Sequence, residues 1–362
     1  MYQMKLIDRY ILKSFLVTFF FTVLIFVVVV SVIDFTENHD DFISNKLAFR
    51  EIFGDYYLNY FPYIANMLSP IMVFIATVIV TARLAARTEI IAMFNSGMSF
   101  LRILYPYFVG SLIIAGLTFY LIGWVIPDAN KIRIDFEDKY FRGHKEITSY
   151  DLHMKIAPEL YIYMKNYNSA SQSGYDFTLE KVQGNELVSK LKASKIIFDS
   201  EKGAWHLNNY SIRTFLGDGQ ESYYEGSEID TIIPITPADF NLNPLLYVTL
   251  TLDELDEYIN KLKERGSEEV PMYITERTER YTYPFAIIIL TVIGVIVSAR
   301  KSRQGTGVQI AFGFALAIIY ILFVILSRTV SQYGSAGPVL AAWTPNIIFT
   351  FIGYIMYKTL PR

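Results

Sequence analysis

Hydrophobic and polar positions are segregated along this chain rather than interleaved. Six windows are nearly free of charge: 14–33, 56–82, 103–127, 281–299, 304–327 and, after a turn bearing Gly334 and Gly337, 339–357. A helix crossing the ~30 Å hydrocarbon layer needs about 20 apolar residues, and each window is of that order. The pattern predicts six transmembrane helices, three on either side of a long polar segment. The first window exceeds the ~7–15-residue core of a signal peptide and no small-x-small cleavage site follows it, so it reads as a span that stays.

Lysine and arginine near the span ends set the orientation. One set of loops holds Lys5, Arg9 and Lys13, then Arg83, Arg87 and Arg102, then Arg300, Lys301 and Arg303, then Lys358 and Arg362. The opposite set is the 34–55 loop, rich in Asp34, Glu37, Asp40, Asp41, Glu51 and Asp55, with the turn at Gly334 and the large central segment. This asymmetry predicts cytoplasmic termini and an outward-facing central domain.

The central residues, 128–250, read as all-β. Short runs such as Tyr161-Ile-Tyr-Met, Lys195-Ile-Ile-Phe, Ala204-Trp-His-Leu, Ser211-Ile-Arg-Thr-Phe and Thr231-Ile-Ile-Pro-Ile alternate with turn signals at Gly174, Gly184, Gly203 and Gly217. Such spacing predicts a β-sandwich or jelly roll. Residues 251–280 follow as a helix and connector. Thr251 and Glu254 form a capping box, Leu252, Leu255, Ile259 and Leu262 make one apolar stripe, and Gly266 ends the helix. That helix either docks the β domain or only packs. The membrane halves are then 1–127 and 281–362.

Composition agrees with this division. The chain is 52% hydrophobic and 19% charged, against about 25% charged in soluble domains. A net charge of −3 gives no field for binding nucleic acid, and the absence of cysteine excludes disulfides and thiolate metal sites. Chemistry is scarce. Gly305-Thr-Gly-Val lacks the spacing and lysine of a phosphate loop, and His39, His144, His153 and His206 have no ligand spacing. Ser96-Gly97 lacks the nucleophile-elbow frame. An enzyme is therefore not expected, no cofactor is expected on this chain, and any energised work needs another chain. The loop at 84–97 reads as a short amphipathic helix, with Ile90, Ile91, Met93 and Phe94 as apolar bulk, Arg87 and Glu89 as charge, and Gly97 as a stop. It suits a helix-in-groove contact with a partner or a helix lying in the membrane interface, and the residues leave both open.

Several stretches, in order, carry a resemblance: Ile7-Asp-Arg-Tyr-Ile-Leu-Lys, Arg87-Thr-Glu-Ile-Ile-Ala-Met-Phe-Asn-Ser-Gly, Trp124-Val-Ile-Pro, the 252–262 stripe, Gly305-x-Gly-x-Gln-Ile, and Ala342-Trp-Thr-Pro-Asn. Together they resemble the LptF/LptG permeases of the lipopolysaccharide exporter, and the Asp-Arg-Tyr-Ile start is more similar to the LptG branch. The resemblance implies six helices with a periplasmic β-jelly roll in the inner membrane of a Gram-negative bacterium. It implies a heterodimer with an LptF-like paralogue, an LptC-like partner, and a dimeric LptB-like ATPase that carries ATP and Mg. That ATPase would dock on Arg87, Glu89, Ile90, Met93, Phe94 and Gly97. Lipopolysaccharide would enter from among the membrane lipids between spans one and five of the two subunits, with Phe26, Val30, Asp34, Phe323 and Arg328 of this chain at the gate.

One feature departs from the expected pattern. Asp34, Glu37, Asp40 and Asp41 stand where basic groups would hold a phosphorylated lipid, and like charges repel. Phosphate contacts would then come from Lys46, Arg50, the partner subunit or Arg328, which either binds phosphate or snorkels to headgroups. A permease that moves a periplasmic domain without carrying substrate, or a membrane enzyme of envelope lipids, are the other readings. The first usually has four spans, and the second needs a polar catalytic cluster that is missing.

Overall fold

In the bilayer every backbone N–H and C=O must find a partner inside the protein, so the apolar windows have to become helices. The computed structural model describes residues 5–141, 148–168, 171–184, 186–200, 202–217, 220–240, 245–265, 267, 269–299, 306–332 and 337–359. The helix stop at Gly266, the basic run 300–303, Gly305, Gly334, His144 and Arg362 lie outside the described residues. The chain forms two compact units, a helical one (1–141, 248–255, 271–362) and a β one (142–247, 256–270).

Among the described residues, six helices are long and apolar enough to cross a membrane. Span one is Leu6–Glu37, span two Phe49–Ala86, span three Phe100–Tyr140, span four Val270–Ser298, span five Thr306–Gln332 and span six Pro338–Lys358. A helix lies over each predicted window as far as its residues are described, and most of the helices run past their windows. Span three continues past Pro127 as a polar helix, Ile126–Tyr140, into what the sequence assigned to the β domain. Nothing in hydropathy marks where such a helix stops, because backbone bonding continues after the apolar stripe ends. Spans two and three each contain a π-helical stretch, Ile52–Tyr57 and Leu121–Val125.

Small residues let the spans approach. A Cβ on Gly110 would lie 2.6 Å from the Phe15 ring, and one on Gly294 would lie 3.0 Å from Thr77. These contacts bring span three onto span one and span four onto span two. The prolines inside the spans create a second kind of join. Pro70 has no N–H for the carbonyl of Asn66 four residues earlier. The Tyr283 hydroxyl of span four donates to that carbonyl at 2.7 Å. Pro345 frees the carbonyl of Ala341 in the same way, and Ser327 Oγ of span five donates to it. Asn346 completes the network: it accepts from Tyr320 Oη at 2.9 Å and donates to the Thr282 carbonyl at 2.9 Å.

The segment 248–255 belongs to the helical unit. Trp124 Nε1 donates to Asp253 (3.1 Å), Asn130 Nδ2 to the Val248 carbonyl (3.0 Å), and Arg280 to the Leu250 carbonyl (2.6 Å). The predicted capping box is formed: Thr251 N–H donates to Glu254 at 2.8 Å, and Glu254 N–H returns to Thr251 Oγ1 at 3.4 Å. The Thr251 backbone donor holds the Glu254 carboxyl below its ordinary range. Leu252, Leu255, Ile259 and Leu262 of helix Leu252–Arg265 are all buried, as their stripe predicts.

The β unit is one six-stranded antiparallel sheet with its strands in chain order. They are β1 Thr148–Ala157, β2 Leu160–Asn168, β3 Ser173–Gln183, β4 Glu186–Asp199, β5 Ala204–Gly217 and β6 Gln220–Thr231. The predicted sandwich or jelly roll is thus realised as a single meander. Two predicted runs, at Ala204 and Ser211, are parts of one strand, and Thr231-Ile-Ile-Pro-Ile leaves the ladder after Thr231. Pro234 cannot donate to a ladder, so that run becomes a covering strap. The strands β1, β3 and β6 escape the sequence reading because their apolar residues do not alternate cleanly.

A line of unpaired residues crosses the whole sheet and breaks the alternation on every strand. Pairing skips Asp151, Lys165, Asp176, Ser194, Asn209 and Ser227, one residue per strand, opposite one another. Asp151, Asp176 and Asn209 have φ of 50°, 51° and 48°, a left-handed conformation that Asp and Asn tolerate. Inward positions therefore shift by three rather than two at this line: Met164 to Tyr167, Ala193 to Ile196 and Leu207 to Tyr210. The sheet keeps its register and changes which parity faces the core.

The proline-linked joins have a testable energetic signature. Tyr283→Phe leaves the Asn66 carbonyl without its partner, a loss of about 1–3 kcal/mol for a buried acceptor. Pro70→Ala restores the helical N–H, so the same substitution in that background should cost clearly less. Thermal unfolding of the purified chain measures both, and equal losses in the two backgrounds would contradict the join.

Candidate functional site

Three places concentrate polar and apolar groups that the packing alone does not require, and all belong to the helical unit. The first is the loop helix between spans two and three. Span two ends at Ala86, Arg87 and Thr88 turn the chain with Thr88 at φ 61°, and the helix runs Glu89–Asn95. Gly97, at φ +82°, stops it as its sequence predicts. Arg87 therefore precedes the helix rather than opening it.

The four apolar residues of this helix divide by face. Ile90 and Met93 are 1% and 6% exposed and join the core of the spans, whereas Ile91 and Phe94 are each 41% exposed. The sequence treats them as one apolar mass; their separation follows from which residues join the core of the spans, and that is tertiary information. Glu89 lies 4.0 Å from Arg87; the arginine side chain faces solvent and the glutamate is half-buried. A surface pair of this kind contributes about 0–1 kcal/mol, so Glu89 can exchange this contact for another at little cost.

Beside the loop helix sits a buried ion pair that the sequence reading did not single out. Asp8 of span one is 1% exposed, accepts from Lys5 N–H at 2.7 Å and meets Arg102 of span three at 2.5 Å. The Arg102 guanidinium also lies over the Tyr105 ring, 5.4 Å from its centroid. The Asp8-Arg9 pair of the opening motif thus splits its work: the acid is internal and the arginine is exposed. An acid directly after an apolar residue at a span's start was the available signal.

The second place is at the other end of spans one and two. An apolar groove of about 650 Å³ runs between Val27, Val28 and Phe35 of span one and Tyr57, Phe61 and Ala65 of span two. Asp34 lies at its end but is turned to span two. Tyr56 and Tyr57 donate to its carboxylate at 3.0 Å each, and Asn38 at 3.2 Å. The π-helical turn Ile52–Tyr57 sets two consecutive tyrosines on this one carboxylate, which an α-helical spacing of 100° per residue does not favour. Phe26 and Val30, expected at a gate, lie on another flank of span one and do not line this groove. Phe26 is exposed and Val30 half-buried. The aromatic residues Phe42, Tyr56, Phe136 and Phe141 pack together over this end, and Arg133 lies 4.5 Å from the Tyr63 ring while pairing with Glu137 at 2.7 Å.

The third place is the corresponding end of spans four and five. Arg328 meets Glu276 and Glu279 at 2.8 Å each, and Arg280 meets Glu276 at 3.1 Å. These contacts tie Glu276 and Glu279 to Arg280 and Arg328. Arg328 is thereby engaged with span four, and Phe323, one turn earlier, packs against Phe349 of span six. Span one and span five do not bring Phe26, Val30 and Asp34 together with Phe323 and Arg328 in one site within this chain. Among the described residues no group of three His, Asp or Glu could hold a metal ion.

The sequence model of the family described as lipopolysaccharide export system permease LptF/LptG matches residues 9–359, nearly the whole chain. No curated protein matches it.

Breaking the buried pair should be more damaging than removing it. Arg102→Ala strands the Asp8 carboxylate and should cost about 3–5 kcal/mol. Asp8→Asn added to it should recover a substantial part of that loss in thermal unfolding. A double variant as unstable as Arg102→Ala alone would show that the charge balance is not what the pair supplies.

Proposed function

Because the chain belongs to the LptF/LptG family of lipopolysaccharide export permeases, a component of an Lpt export complex and a multi-pass inner-membrane protein, we propose that it acts as the LptG-like half of a heterodimeric permease. An LptF-like paralogue forms the other half. ATP and Mg are bound by a dimeric LptB-like ATPase on the cytoplasmic side, where the basic loops and both termini lie. The β unit is periplasmic, an LptC-like partner continues the path, and lipopolysaccharide extracted from the bilayer passes through the β unit toward the outer membrane.

One observation carries this reading above the others: the loop helix is anchored by Ile90 and Met93 while Ile91 and Phe94 face outward, with Glu89 half-buried beside them. A helix merely lying in the bilayer interface would direct its apolar bulk into lipid from a single face. Here one apolar face is already used by the spans, and a second remains for a protein groove. Coupling then follows mechanically, since a helix rooted in the core transmits a displacement of the ATPase to spans two and three.

At the gate, Phe26, Val30 and Phe323 supply the apolar surface that meets acyl chains across the subunit boundary. Asp34 serves as the acceptor that fixes span one to Tyr56 and Tyr57, which accounts for an acid at that depth without asking it to face phosphate. Arg328 ties span five to span four, and phosphate contacts fall to Lys46, Arg50 or the partner subunit.

Ile91→Glu and Phe94→Glu should each cut recovery of the ATPase with this chain at least tenfold, since such anchors carry about 2 kcal/mol or more. The chain should remain folded, whereas charge at Ile90 or Met93 should destabilise it. Undiminished ATPase recovery from the two exposed-face variants would defeat the docking role. For the gate, Arg328→Ala should abolish lipopolysaccharide stimulation of ATP hydrolysis, and Glu276→Gln with Glu279→Gln should restore part of it. Failure of that neutralisation to rescue would instead point to a direct substrate contact.

A further inference from the structure

The apolar face of the sheet in the β unit is covered by the chain itself. After β6 ends at Thr231, residues 232–240 run back over the strands. Ile232 is 83% exposed, but Ile233, Ile235 and Phe240 are buried among Leu152, Met164 and Trp205. The Phe240 ring lies 4.6 Å from that of Tyr167 and 5.8 Å from that of Trp205. Trp205 Nε1 donates to the Ile235 carbonyl at 2.9 Å.

Three features distinguish this strap from an ordinary strand. It takes no ladder position, and Pro234 ensures that it cannot extend the sheet. Its own fold is local: Thr236 N–H and Oγ1 both donate to the Asp239 carboxylate, at 2.8 and 3.0 Å, and Asp239 N–H returns to the Thr236 carbonyl at 2.9 Å. Those bonds survive if the strap lifts as a piece. Third, among the described residues the Tyr167 hydroxyl beneath it is buried without a hydrogen-bond partner. A buried donor left unpaired is unfavourable, so the seated strap is not the best partner this face could have.

An acyl chain can replace the strap with little change in buried apolar area, because hydrophobic burial is proportional to area and indifferent to identity. Carbonyls at the head of such a chain would accept from Tyr167 and take the place of the Ile235 carbonyl at Trp205 Nε1. We propose that residues 232–240 form a displaceable plug in the lipid path of the β unit: Ile233, Ile235 and Phe240 hold the place of acyl chains at rest and lift when lipid enters. This inference rests on the lipopolysaccharide-export reading above. It makes the β unit a gated conduit, closed to other amphiphiles until substrate arrives.

Hydrogen exchange on the reconstituted full complex tests it without any substitution. With lipopolysaccharide and ATP, amides of 232–240 should lose protection while the ladder amides of β2 to β5 keep theirs. Unchanged protection of the strap during turnover overturns the plug. A lock supplies the second arm. This chain has no cysteine, so Tyr167→Cys with Phe240→Cys, bridged by a short cleavable dithiol reagent in a complex with cysteine-free partners, fastens the strap to β2. Bridging should slow release of lipopolysaccharide to a periplasmic acceptor at least tenfold against the same double-cysteine complex with the bridge cleaved. Release at the parent rate with the strap bridged overturns the plug alone. A parent complex that neither responds to lipopolysaccharide nor releases it overturns the export reading, and the plug with it.

Discussion

A polar group in the interior of an apolar bundle has no water to turn to, and this requirement decides how the spans are joined. Asn66 and Ala341 lose their helical partners to Pro70 and Pro345, and each carbonyl is met by a hydroxyl from a different span. Asp8, Asp34, Glu276 and Glu279 sit near the ends of spans and are met by Arg102, by paired tyrosines, and by Arg328. Lipid tails are as apolar as leucine, so apolar packing alone gives helices in a membrane little preference for one neighbour over another. These polar joins supply that preference.

The same requirement shapes the parts that can move. Among the described residues the loop helix has no polar anchor of its own in the core; it is held by Ile90 and Met93, and its charged pair is weak. The strap over the sheet is held by side-chain burial and by the bond from Trp205 Nε1 to the Ile235 carbonyl, an acceptor that a lipid carbonyl replaces in the proposed exchange. Regions fixed by apolar contact can exchange one apolar partner for another, whereas regions fixed by directional bonds cannot do so without stranding a donor or acceptor. In the proposed export cycle the first class includes the surfaces that meet the ATPase and the lipid. The second class forms the frame that those surfaces work against.

Much of this was legible in the residues. Charge-free windows marked all six spans, Thr251 with Glu254 marked a capping box that forms, and Gly97 marked a helix stop. What was hidden depended on tertiary placement. Nothing in Ile90-Ile91 says which isoleucine faces the core, and Asp34 looked like an obstacle to phosphate until two tyrosines from the π-helical turn were found on it. Pro70 was visible, but its consequence, a hydroxyl from Tyr283 more than two hundred residues away, was not. In the β unit the inward parity shifts at the line through Asp151, Asp176 and Asn209, so two-residue alternation breaks on every strand; β2, β4 and β5 still carry apolar runs that mark them, and β1, β3 and β6 do not.

The central claim is that this chain is one membrane half of an export machine powered by another chain. Affinity purification from native membranes in mild detergent, followed by identification of what accompanies it, tests that most directly. The expected result is a second six-span chain and a small soluble ATPase recovered in fixed proportion, with lipopolysaccharide raising ATP hydrolysis by the assembly. A chain that purifies alone, or with lipid-modifying activity of its own, would contradict it.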